Sequence, residues 1–181
     1  MRNSSAYHVR SPDRHDMLQP ESNHTLDSSR RIRPGTPADY AALAEVMFDA
    51  VRNGRSEYTK AQREAWVPEI RSGDTWTNRL AAQDLFVAED ENQIVGFMSL
   101  TDEGYIDFAY IRPTAQGTGL FRQLYESLEQ HANSISLHRL WVHASLMAQP
   151  AFSAMGFEIL EEQSVEIGNQ ALRRFELEKS L

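Results

Sequence analysis

Ile111-Arg112-Pro113-Thr114-Ala115-Gln116-Gly117-Thr118-Gly119-Leu120-Phe121 connects two runs of opposite periodicity. Before it, residues 105–111 (YIDFAYI) read as a strand. After it, Leu120, Leu124 and Leu128 share one face of a helix running from Gly117 to about Ala132. A strand that enters a helix through two glycines presents the unpaired N–H groups of the helix's positive end, where anions bind. A side chain at 117 or 119 would hold a pyrophosphate away from the backbone. Thr118 offers a hydroxyl, and Arg122 a cation one turn in. A P-loop would need Lys after the last glycine and Ser or Thr beyond it, and Leu120-Phe121 stand there. A dinucleotide fingerprint would need a third glycine within an early βαβ unit.

Upstream, residues 85–88 and 94–100 flank the acidic turn Glu89-Asp90-Glu91-Asn92, and Asp102-Glu103-Gly104 turns into residues 105–111. That makes three antiparallel strands in succession. Earlier, residues 31–34 read as a first strand. Thr36, Pro37 and Asp39 supply a cap, a helix-starting proline and an acid for a helix that Asn53-Gly54 closes. A second helix is expected near residues 59–70, its Ala61, Trp66 and Ile70, with Tyr58 before it, set to cover a cleft. Trp76 falls in a third short segment. Downstream come a strand over 138–144, a short helix over 148–154, and a hairpin of 157–167 and 171–178 turning at Gly168-Asn169. The fold class is α/β (α+β), with a mixed, mostly antiparallel sheet of about seven strands flanked by helices.

The chain has 181 residues, 41% of them hydrophobic, which suits one domain. We assign it to residues 30–181, with residues 1–29, polar and without periodicity, as a disordered N-terminal extension. No stretch approaches the roughly 20 apolar residues of a membrane span, and a cytoplasmic chain is expected. The absence of cysteine removes disulfides and thiolate chemistry. The net charge is −8, and residues 36–181 hold 22 acids against 12 bases. Such a surface disfavours nucleic acid and, at long range, favours a cationic amine. His138 and His143 point to opposite faces of one strand with no further ligand beside either, so no metal is expected.

Ile111-Arg112-Pro113, then Gln116-Gly117-Thr118-Gly119-Leu120-Phe121, then residues 148–155 closing on Gly156-Phe157, together resemble the motifs of the GNAT acyltransferases. The resemblance spans residues 31–179. Tyr58, Ala65-Trp66-Val67-Pro68, Gly104-Tyr105-Ile106-Asp107, residues 144–148 and Glu161-Glu162-Gln163 are most similar to the YafP-like acetyltransferases.

This likeness implies a sheet splayed between its fourth and fifth strands. It also implies acetyl-CoA as co-substrate, a primary amine of a small molecule or peptide as acceptor, and a homodimer as one possible assembly. The pyrophosphate would lie on Gln116, Gly117, Thr118, Gly119, Leu120, Phe121 and Arg122. The pantetheine would run along Ala109, Tyr110 and Ile111, with Ser145 and Phe152 beside it and the Ala109 N–H on the thioester carbonyl. Ser145 alternatively caps the following helix.

Strand alternation puts Tyr105, Asp107, Ala109 and Ile111 on one face. Asp107 is then either the base or amine-positioning acid, or a carboxylate bonded to a neighbouring loop. Tyr105 is either a proton relay or a packing residue. Tyr58, Trp66 and Trp76 form the acceptor pocket or part of the core. Two departures stand out. Phe121 replaces a small residue, and Phe152 occupies a position where many relatives keep a Tyr acid for the departing thiolate. A rival reading is an acyl-CoA-binding sensor without turnover.

Overall fold

The computed structural model describes residues 30–181. The extension expected at 1–29 lies outside the described residues. In chain order the elements are β1 (Arg31–Pro34), α1 (Tyr40–Asn53), α2 (Lys60–Trp66), α3 (Gly73–Ala81), β2 (Asp84–Asp90), β3 (Gln93–Leu100), β4 (Tyr105–Ile106) and β5 (Ala109–Ile111). They continue with α4 (Leu120–Ser134), β6 (Arg139–Ser145), α5 (Gln149–Ala154), β7 (Glu158–Ile167) and β8 (Gln170–Ser180).

One four-stranded sheet has the order β1-β2-β3-β5 and the other β4-β6-β8-β7. The run expected as a single strand over 105–111 is therefore two short pieces. The cause lies at its middle. Phe108 exchanges bonds with Ser99, its N–H donating to the Ser99 Oγ at 3.0 Å and its carbonyl accepting from the Ser99 N–H at 3.0 Å. Asp107 is drawn toward α3 by Arg79. Before the break, β4 pairs in parallel with β6, Tyr105 opposite Trp141. After it, β5 pairs antiparallel with β3, Tyr110 opposite Phe97. The strand thus changes partners, and the sheet parts between β5 and β6.

The first sheet is clothed on both faces, as strand alternation requires. Val87 and Phe97 pack with Leu43, Met47 and Leu80 of α1 and α3. Ala88 and Met98 pack with Leu120, Leu124 and Leu128 of α4. The β2–β3 hairpin turns on Glu91 and Asn92, both with positive φ, which suits the right-handed twist of its strands. The last hairpin turns at Gly168-Asn169 as expected.

Three local expectations change. The helix expected from Gly117 begins only at Leu120, because Gly117 and Gly119 have φ of +74° and +80° and cannot continue a right-handed helix. The helix expected over 59–70 stops at Trp66. Ile70 lies beyond it and is 47% exposed, Ala61 faces solvent, and only Trp66 of the three turns inward. The first helix opens with a 3-10 turn over Pro37–Asp39. There the Asp39 carboxylate accepts the Thr36 N–H at 2.8 Å and binds Arg33 through both oxygens.

Candidate active site

A cavity of about 390 Å³ lies where the sheet parts, between β5 on one side and the β6–α5 connection on the other. Its β5 wall can be read from the ladder. The Ser99 N–H donates to the Phe108 carbonyl, and the Arg112 N–H donates to the Val95 carbonyl. Hydrogen-bonded pairs on antiparallel strands alternate, so the pairs Met98–Ala109 and Gly96–Ile111 are the non-bonded ones. The N–H groups of Ala109 and Ile111 consequently point off the sheet edge toward the cavity. The Ile111 carbonyl is held by the Gln116 Nε2 at 3.0 Å.

The loop that follows lines the same cavity through Gln116, Gly117, Gly119, Leu120 and Phe121. A Cβ built on Gly117 or Gly119 would meet nothing within 4 Å. Glycine is therefore required there by its positive φ and leaves open space over the N–H groups, which fits a diphosphate. Two expected contacts lie elsewhere. The Thr118 hydroxyl donates to the Ala115 carbonyl at 2.7 Å and accepts from Arg30 at 2.9 Å, while Arg122 is exposed beside Glu126 at 4.0 Å. Neither lines the cavity. Arg55 does line it, from the loop after α1. The sequence carried no sign of this, since Arg55 reads as an ordinary loop residue.

Phe152 is fully buried, stacked edge-on against Phe121 at 5.0 Å and Phe157 at 5.2 Å, and is absent from the cavity wall. Phe121 stands on that wall and shields Phe152. Ser145 reaches the wall too, and its Oγ accepts the Ala148 N–H at 3.2 Å as α5 begins.

A second cavity, about 460 Å³, adjoins the first and shares Trp66, Tyr110 and Ser145 with it. Tyr58, Trp76, Tyr105, Asp107 and His143 all line it. The break in the strand alters the expected facing: Asp107, Phe108 and Tyr110 border this cavity together, and Ala109 borders the other.

Asp107 is ion-paired, its oxygens accepting from Arg79 at 2.6 and 2.8 Å and from Gln83 Nε2 at 2.8 Å. Its side chain is 7% exposed. The Tyr105 ring lies on Trp141 at 4.3 Å, and its hydroxyl is 3.3 Å from the His143 Nδ1. The other ring nitrogen of His143 is 3.7 Å from the Glu176 carboxylate. Burial, with Arg174 nearby, holds the His143 pKa below its ordinary 6.5 despite Glu176, so the imidazole is neutral at pH 7. Burial also raises the phenols of Tyr105 and Tyr110.

Tyr58 accepts the Leu146 N–H at 3.2 Å and donates to the Arg173 carbonyl, tying α2's approach to β8. Trp76 donates to the Tyr40 carbonyl at 2.8 Å and meets Phe108 edge-on, so it serves both core and cavity. His143 entered the sequence argument only as a metal ligand. The signal that would have found it is alternation along β6, which sets Trp141, His143 and Ser145 on one face, and it needed the β4–β6 register to be read. Among the described residues no three potential ligands gather around a metal position, and no helix is long and apolar enough to cross a membrane.

Comparison with known proteins places this geometry. A family model described as an acetyltransferase (GNAT) domain matches residues 55–173. The chain is 31% identical over 137 residues to the uncharacterized N-acetyltransferase YafP of Escherichia coli, covering 75% of this chain and 86% of that protein. A GCN5-related N-acetyltransferase from Rhodopseudomonas palustris superposes with a TM-score of 0.76 at 28% identity, over 87% of this chain and 99% of that one. A phosphinothricin acetyltransferase from Sinorhizobium meliloti, solved with acetyl-CoA, shares the fold at 17% identity, with a TM-score of 0.66 over 84% of this chain and 89% of that one. The chain is thus an acyltransferase enzyme and belongs to the GNAT acetyltransferase family.

Proposed function

We propose that this chain transfers an acetyl group from acetyl-CoA to a primary amine by direct attack in a ternary complex. The observation that carries the reading is the meeting of two cavities at Trp66, Tyr110 and Ser145, one walled by unpaired backbone N–H groups and the other by titratable side chains. Acetyl-CoA supplies a thioester carbonyl: the amine nitrogen forms the new C–N bond as the C–S bond breaks. Gly117 and Gly119 offer N–H groups to the diphosphate, Arg55 adds a cation, and the Ile111 N–H pairs with a pantetheine amide. The Ala109 N–H donates to the carbonyl oxygen as charge develops on it, a contact worth a few kcal/mol of barrier in comparable sites.

A protonated amine cannot attack, so a base must accept a proton. Neutral His143 suits that task. The proton passes to the Tyr105 oxygen as the Tyr105 hydroxyl proton moves to Nδ1, and Glu176 faces the imidazolium that results. Asp107, engaged by Arg79 and Gln83, positions the acceptor wall instead of taking the proton.

Calorimetric titration with acetyl-CoA, followed by a thiol-release screen over amines, tests the reading. Binding with turnover supports it, and no binding removes it. One observation favours a second reading, an acyl-CoA sensor: position 152 holds a buried Phe where an acid for the thiolate would stand. Tight binding without release on any amine would select the sensor.

A further inference from the structure

Acids outnumber bases in this chain by 26 to 18, so an arginine with no carboxylate partner is conspicuous. Among the described residues, every arginine other than Arg55, Arg63, Arg71 and Arg174 lies within 4.0 Å of a carboxylate. Arg63 donates to the Arg52 carbonyl, away from both cavities. The other three line the two cavities: Arg55 on the cofactor side, Arg71 and Arg174 on the acceptor side.

Arg174 is half-buried and, among the described residues, donates only to the neutral Gln163 side chain, at 3.0 Å. Among the described residues Arg71 donates only to the Trp66 carbonyl, at 3.1 Å. Strand register places Arg174 opposite Ser145, at the seam shared by the two cavities. The charges on the acceptor wall do not cancel. Asp107 is taken by Arg79 and His143 is neutral, which leaves Arg71 and Arg174 against the rim residue Glu69. The half-buried Arg174 guanidinium without an anion is unfavourable, a bidentate anion relieves it, and the exposed Arg71 adds a second cation at the cavity's edge.

Resting on the acetyl-transfer reading for the identity of this cavity as the acceptor site, we propose that the acceptor is a small amine that also carries an anionic group, a carboxylate or a phosphate, held by Arg174 and Arg71. The acidic exterior favours a cationic amine at a distance. The cavity itself selects for the negative group, and Glu69 stands at its mouth for the ammonium end.

The test is calorimetric binding in the presence of CoA, using matched pairs: α-amino acids against their amides, and O-phosphoethanolamine against ethanolamine. In the wild type the anionic member of at least one pair should bind on the order of tenfold tighter, as one charge-assisted bidentate contact implies. Arg174→Gln should erase that preference, Arg174→Lys should restore part of it, and CoA affinity should stay unchanged. Arg71→Gln, at an exposed position, gives the same test without risk to the fold. The amino-acid and phosphate arms separate the two anions. Equal binding within every pair, no binding of either member, or a preference that survives both glutamine variants overturns the proposal. Anion-selective binding without thiol release would keep the anion site at Arg174 and Arg71 but remove the acetyl-transfer reading, and with it the ligand's role as acceptor.

Discussion

At the scale of single residues, His143 and Asp107 make opposite predictions. Replacing His143 with Ala should lower kcat by about a hundredfold or more, in line with the loss of a positioned base, while acetyl-CoA affinity is preserved. In the wild type the rate should fall as pH drops through a value below the ordinary 6.5, because burial lowers the pKa and protonation removes the base. Steady-state rates between pH 5 and 8 would reveal that limb, and its persistence in His143→Ala would exclude His143. Asp107→Asn should keep the limb and raise the acceptor KM, since it frees Arg79 from its partner. Asp107 was legible as a residue near the chemistry, but its partners were not: Arg79 on α3 and Gln83 just after that helix sit 28 and 24 positions away. Phe152 shows the same limit, since whether it lines a cleft or a core depends on Phe121 and Phe157.

At the scale of elements, the phosphate loop and the short helices carry the predictions. Gly119→Glu puts a carboxylate and a strained positive φ at the mouth of α4. Acetyl-CoA binding should be lost in titration while the circular dichroism spectrum is retained. An affinity equal to the wild type would detach this loop from the cofactor. Helix α2 is seven residues long and is opened by Thr59, which accepts the Gln62 N–H at 3.2 Å. Thr59→Ala should cost about 1 kcal/mol and raise the acceptor KM, because α2 carries Trp66 into both cavities. Thermal melting and steady-state kinetics would register the two effects.

The strong periodicities, α4 and the hairpins, were readable from residue spacing. The break at Asp107-Phe108 was not, because an apolar strand of seven residues and two short strands with different partners look identical in one dimension. The facing of Asp107 and Ala109 onto different cavities followed from that break.

At the scale of the whole molecule, acid should loosen the fold through carboxylates already satisfied in it. Hydrogen bonds from Arg33 chiefly, and from Thr36, hold Asp39 at about 2, below its ordinary 3.8. The Arg33 guanidinium also binds Glu89, whose pKa is lowered as well. A carboxylate whose folded pKa is depressed stabilises the fold above its unfolded pKa, and that stability is lost as pH falls through the folded value. Melting temperature should therefore decline between about pH 4 and pH 2. Asp39→Asn, which lifts roughly 2 kcal/mol at neutral pH, should flatten that decline; an unchanged slope would exclude Asp39 as its source.

The overall architecture was legible because Ile-Arg-Pro, the glycine loop and Gly-Phe punctuate it in order. The acceptor's anionic group, as proposed, was not, since that proposal rests on arginines whose partners are known only once every carboxylate has been located in space.

The change of partner between β4 and β5 bears on how such a protein diversifies. In the proposed assignment the thioester end hangs on β3 and β5, whereas Val165, Leu172 and Arg174 of the acceptor wall belong to β7 and β8 in the other sheet. A substitution in the last hairpin alters what is admitted without displacing the Ala109 N–H. Descendants of one ancestor can thus trade acceptors while inheriting an unaltered acyl-handling half.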